Sequence, residues 1–151
     1  YDGDADEVTY RVLDDSLTEA VASGGIETHL ALKSDDTPCI AWYDYDDGDL
    51  EYSCRTGTNA WTTTTVDSTD FVGDYPSLAF NSSDEPYIAY YDYTNGDLKV
   101  AHHDGSAWSI FTVDSSGDVG QQSDITIDSN DVVYISYYDS TNAIVKMIEG
   151  Y

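Results

Sequence analysis

Residues Pro86–Lys99 read PYIAYYDYTNGDLK. Side chains alternate along a strand, so Ile88 and Tyr90 share one face while Tyr87, Ala89 and Tyr91 share the other. Asn95-Gly96 is the pair that most readily takes positive φ, which predicts a type I′ turn into a second strand. The phrase recurs at Pro38–Glu51 (PCIAWYDYDDGDLE) and at Val133–Lys146 (VYISYYDSTNAIVK). Each copy therefore predicts a strand, a tight turn and a strand.

The sequence around the phrase repeats with it. A preceding strand is predicted at Thr28–Leu32, Ser77–Phe80 and Asp124–Ile127, with Leu30/Leu32, Leu78/Phe80 and Ile125/Ile127 as inward pairs. Polar turns follow at Ser34–Asp36, Ser82–Asp84 and Ser129–Asp131. The third strands are Leu50–Arg55, Leu98–His103 and Ile144–Ile148, and fourth strands follow at Trp61–Val66 and Trp108–Val113. Trp61 to Trp108 spans 47 residues, as does Tyr91 to Tyr138. Four short strands inside so fixed a period predict an all-β fold, a β-propeller of four-stranded antiparallel blades.

Three blades are expected per chain, over 28–75, 76–122 and 123–151. Residues 1–7 (YDGDADE) form an acidic lead-in. Residues 8–27 hold one strand, Val8–Asp15, then a short helical turn over Leu17–Ala22 ended by Gly24-Gly25. Val8–Asp15 ends like a fourth strand, and the third repeat has no fourth strand of its own. Three blades make too tight a ring, since propellers need about four to eight. The expectation is a six-bladed homodimer in which each N-terminal strand completes the partner's last blade; the alternative is that other propeller blades lie elsewhere.

The 151 residues carry 30 acids against 5 bases, a net charge of −25. Such a surface repels nucleic acid and anionic membranes. It reads as a solvated acidic coat of halophilic type, in which salt screens self-repulsion. It also makes calcium a candidate cation, with Asp44, Asp46 and Asp49 in DYDDGD as its ligands, although the distal Glu of a calcium loop is missing. No apolar run reaches the roughly 18 residues of a membrane span, so no membrane insertion is expected. Cys39 and Cys54 fall on neighbouring strands, close enough for a disulfide and equally consistent with two buried thiols.

Ser77-Leu78-Ala79, Pro86–Asp92, Gly96–Lys99 and Trp108-Ser109-Ile110 with Val113-Asp114-Ser115 together resemble repeat propellers of the BNR or sialidase-like kind, found in bacteria and archaea. The resemblance covers nearly all of the chain from residue 28. It implies the fold and an extracellular or cell-surface location. It does not imply sialidase chemistry. Asp104 sits beside Gly105 where the family's Asp box places its Asp two before, and Arg11 and Arg55 are too few for a carboxylate-binding cluster.

No catalytic signature stands out, so an enzyme, as a fragment of a glycoside hydrolase or lyase, ranks second. A purely structural repeat is a third reading. The leading expectation is a non-catalytic, lectin-like module whose aromatic rings stack on a glycan while carboxylates bind its hydroxyls. The candidate residues are Trp42, Tyr43, Tyr90, Tyr91, Tyr137, Tyr138, Asp92 and Asp139. Against this stand packing roles for the rings and turn-capping roles for Asp44, Asp92 and Asp139. Adjacent His102 and His103 point to opposite faces and so do not share a metal.

Overall fold

A computed structural model describes residues 7–12 and 17–150, all in strands and turns. There are four antiparallel sheets, none of them closed. Strands β1 (Glu7–Val12) and β2 (Leu17–Ser23) form a hairpin. Unit 1 is β3 (Gly25–Leu32), β4 (Pro38–Asp44), β5 (Asp49–Gly57) and β6 (Ala60–Asp67). Unit 2 is β7 (Val72–Phe80), β8 (Pro86–Asp92), β9 (Asp97–His103) and β10 (Trp108–Asp114). Unit 3 is β11 (Val119–Ile127), β12 (Val133–Asp139) and β13 (Ile144–Glu149). Strand order follows chain order in every sheet.

Several sequence expectations are corrected. Leu17–Ala22 lies in a strand, not a helical turn: β1 offers an edge, and β2 pairs with it from Glu7↔Ser23 to Val12↔Leu17. The segment expected as a lone outer strand therefore already has a partner, and residues 13–15 of it lie outside the described residues. Its repeat position also differs. Val8 meets Gly25 as Leu50 meets Gly73 and Leu98 meets Gly120, so β1 stands where a third strand stands and β2 where a fourth does. At Gly73 and Gly120 a Cβ would lie 2.8 and 2.7 Å from the neighbouring Cα, with φ of 104° and 106°, so only glycine fits.

The first strand of each unit begins earlier than alternation suggests, at Gly25, Val72 and Val119. A bulge at Glu27, Tyr75 and Gln122, all at positive φ, breaks the period of two and hides those residues from the pattern. The Asn95-Gly96 turn is also longer than two residues. Asp92 pairs with Asp97 around residues 93–96, Gly96 N–H donates to the Asp92 carbonyl, and of these four residues only Gly96 has positive φ. Ala143 takes the same conformation in unit 3.

The core lies between units. Leu50, Val72, Leu78, Ile88 and Tyr90 share one buried cluster across units 1 and 2; Leu98, Val100, Val119, Ile125 and Ile135 share another across units 2 and 3. The final correction follows from this arrangement. Leu30 is 50% exposed where its counterpart Leu78 is 2%, because the β1–β2 hairpin leaves that part of unit 1 uncovered. At the other end Val145 is 77% exposed where Leu50 and Leu98 are fully buried.

Polar ties repeat at both junctions between units, one set donated by the earlier unit and one by the later. Ser34 donates through N–H and Oγ to Asp84, and Ser82 does the same to Asp131. Tyr90 and Lys99 donate to Asp67, at 2.7 and 2.6 Å; Tyr137 and Lys146 donate to Asp114. Burial pushes both aspartates up, but these bonds outweigh it. Asp67 is held below the usual range, and Asp114 at about 2.

Candidate functional site

A cleft of about 460 Å³ opens between units 1 and 2, lined by Ile26, Tyr43, Tyr45, Phe71, Asp74 and Tyr93. Tyr43 is the last residue but one of β4, and Tyr45 follows in the turn, with the two rings edge-to-face at 6.5 Å. Phe71 precedes β7 and lies over Gly48, where a Cβ would stand 2.6 Å from its ring. Its main chain is clasped to the Tyr93-Thr94 turn: Phe71 N–H donates to Thr94 Oγ1, and Thr94 N–H donates to the Phe71 carbonyl. Tyr45, Phe71 and Tyr93 are exposed, so three rings face solvent at one place. An exposed aromatic group of this kind marks a binding surface more often than a fold requirement.

The next junction shows what this one lacks. There the clasp recurs, with Asp118 N–H donating to Thr141 Oγ1 and Ser140 N–H to the Asp118 carbonyl. Asp118 thus stands in the place of Phe71, and Gln121 in that of Asp74. Tyr91 donates to Asp118 at 2.7 Å, and Gln121 donates to it as well, so the polar groups satisfy one another. With Phe71 in place of Asp118, the Tyr43 hydroxyl and the Asp74 carboxylate have no hydrogen-bond partner among the described residues. Burial, with Glu27 nearby, raises Asp74 to about 6. The cleft therefore combines ring faces with an acceptor that is free above that pH.

The sequence candidates are not gathered into one site. Trp42, Tyr90 and Tyr137 are buried. Trp42 Nε1 donates to Ser53 Oγ, and the Tyr90 and Tyr137 hydroxyls are committed to Asp67 and Asp114. Tyr91 is also buried, and Tyr138 is half-buried on β12. Asp92 and Asp139 cap their turns, accepting from the N–H and Nδ2 groups of Asn95 and Asn142. Of the ring candidates, Tyr43 alone lines the aromatic cleft. Tyr45, Phe71, Asp74 and Tyr93 were missed. Their signal was the contrast between repeats, Phe71 against Asp118 and Asp74 against Gln121, not the similarity.

Asp44 Oδ1 accepts from the Asp46 and Asp47 N–H groups, the turn-capping role. Among the described residues no group of three or more His, Cys, Asp or Glu is arranged to hold a metal ion. Cys39 and Cys54, directly opposed on β4 and β5, form a disulfide.

Compared with known proteins, the chain matches no family model and no curated protein.

Proposed function

We propose that the protein is a non-catalytic binding module whose aromatic cleft takes a carbohydrate. The observation that carries this reading is the set of exposed rings, Tyr45, Phe71 and Tyr93, around the unpaired Asp74 carboxylate. A sugar offers an apolar face to such rings and hydroxyl donors to such a carboxylate. The volume suits one or two sugar residues. In the same reading the units are blades of a propeller of the BNR-like kind. Supporting this are the strand order and the polar ties that repeat from unit to unit. Further blades, from a homodimer or from another stretch of chain, would cover Leu30 and Leu32 at one end and Val145 and Met147 at the other. An extracellular or surface setting accords with the Cys39–Cys54 disulfide, which persists in oxidising compartments.

A glycan array with the intact protein, followed by calorimetry on any hit, tests the binding. Tyr45→Ala and Tyr93→Ala remove exposed rings, so each is expected to cost about tenfold in affinity without unfolding the protein. Affinity should rise as pH passes upward through about 6, when Asp74 loses its proton and becomes a full acceptor. Absence of any glycan hit, or affinity unchanged in both variants, would overturn the reading. Sedimentation mass tests the further blades: a folded monomer with both end faces bare contradicts them.

A further inference from the structure

One site at the hairpin–unit 1 junction is filled by the chain itself. Glu19, on β2, has a fully buried side chain. Its Oε1 accepts from Arg55 Nη2 and Asn59 N–H, and its Oε2 from Arg55 Nε and Trp61 Nε1. Tyr10, opposite Glu19 on β1, closes the frame with its ring 5.5 Å from Trp61 and beneath the Arg55 guanidinium. Four donors around one carboxylate make a strong anion site.

The same frame recurs one junction on, without the carboxylate. Tyr52 takes the place of Tyr10, with its ring 5.4 Å from Trp108 and again edge-on. Trp108 takes the place of Trp61, and His103, its cross-strand partner, that of Arg55. Thr64, opposite Tyr52, takes the place of Glu19. A cleft of about 590 Å³ stands there, lined by Tyr52, Thr64, His103, Trp108 and Lys33. The Trp108 indole N–H, whose counterpart binds Glu19, has no hydrogen-bond partner among the described residues. His103 Nδ1 accepts from Gly105 N–H, which leaves Nε2 to carry the proton and donate. Arg55, Lys99 and Lys146 are all engaged in ion pairs, whereas Lys33 is in none among the described residues. Asp84 and Glu85 also line the cleft, but each already has donors: Ser34 for Asp84, and Asn81 and His102 for Glu85.

We infer that this second cleft binds a carboxylate supplied from outside the chain, in the position Glu19 occupies one junction earlier. The ligand class is a small organic acid or acidic sugar, held by the Trp108 indole N–H, the Thr64 hydroxyl and the Lys33 ammonium. This site is distinct from the aromatic cleft around Tyr43 and stands or falls independently of it.

Three tryptophans give three indole N–H resonances, assigned by a Trp108→Phe variant. The intact ¹⁵N-labelled protein is titrated with acetate, D-glucuronate or D-glucose, with sodium chloride matching ionic strength. Acetate and glucuronate should move the Trp108 resonance. Trp42 and Trp61, already bonded to Ser53 and Glu19, should stay, as should Trp108 with glucose or chloride. Lys33→Gln should weaken both anions about tenfold, the scale of one charge-assisted bond. Thr64→Glu places a tethered carboxylate where Glu19 sits in the other copy and should abolish the titration, with the rest of the spectrum reporting an intact fold. The inference is overturned if Trp108 is unmoved by either anion up to roughly 100 mM. It is equally overturned if glucose moves it as far, or if Thr64→Glu leaves the titration intact.

Discussion

The first junction and the two later ones meet the same packing demand with different chemistry. At the later junctions an aspartate, the buried Asp67 or the partly buried Asp114, receives a tyrosine hydroxyl and a lysine ammonium from the next unit. At the first, Ala22 pairs with Val8 where Asp67 pairs with Leu50, and Trp42 replaces the tyrosine and Glu51 the lysine. Trp42 satisfies its N–H within its own unit, on Ser53. Glu51 is left with Oε2 buried and unpartnered, and burial pushes its carboxyl upward. A buried ion pair is thus replaced as a set, because a lone survivor is an uncompensated charge.

That contrast breaks most sharply at Asp67. Asp67→Ala leaves Lys99 with only the more distant Asp92 carboxylate, and the Tyr90 hydroxyl with no acceptor. The expected loss in guanidinium denaturation is about 3–5 kcal/mol. The triple variant Asp67→Ala, Tyr90→Trp, Lys99→Met copies the logic of the first junction and should recover most of that loss. If it is no better than the single variant, the set argument is wrong.

The next effect in size separates unit 1 from unit 2. Cys39 and Cys54 form a covalent staple across β4 and β5, where unit 2 has Tyr87 and His102 stacked at 4.1 Å. Reduction, or a Cys39→Ala, Cys54→Ala variant, should cost about 3 kcal/mol for so short a loop. Unit 1 amides should then lose hydrogen-exchange protection before those of unit 2.

The smallest effect has the opposite sign. Glu51 titrates higher folded than unfolded, so the folded state is favoured at low pH and loses that advantage as pH rises past the unfolded value. Glu51→Gln should therefore gain roughly 1 kcal/mol at pH 7 and almost nothing at pH 4. A loss at pH 7 would mean that the bond Thr65 Oγ1 donates to Glu51 Oε1 outweighs the burial of Oε2.

Strand identity and order in the three units were legible from residue 28 onward, because alternation and a 47-residue period act together. Three features escaped for physical reasons. The bulges at Glu27, Tyr75 and Gln122 interrupt the period of two that identifies a strand. Leu17–Ala22 has helix-forming residues, and only pairing with β1 makes it a strand. The binding surfaces escaped because repetition drew attention to Tyr90 and Tyr137, which serve the junctions, and to Asp92 and Asp139, which cap turns. Phe71, Asp74 and Thr64 differ from their counterparts, and each lines an opening.

The Ser34–Asp84 and Ser82–Asp131 ties give each unit a donor side and an acceptor side. Ser129 and Asp36 occupy the corresponding loop positions at opposite ends of the series. A unit added through the same contacts would dock tail to head, with the same handed rotation at every step. Growth by that rule ends when the rotation closes on itself and otherwise continues as a helix. A mirror-like, patch-on-patch pairing could not reuse these contacts.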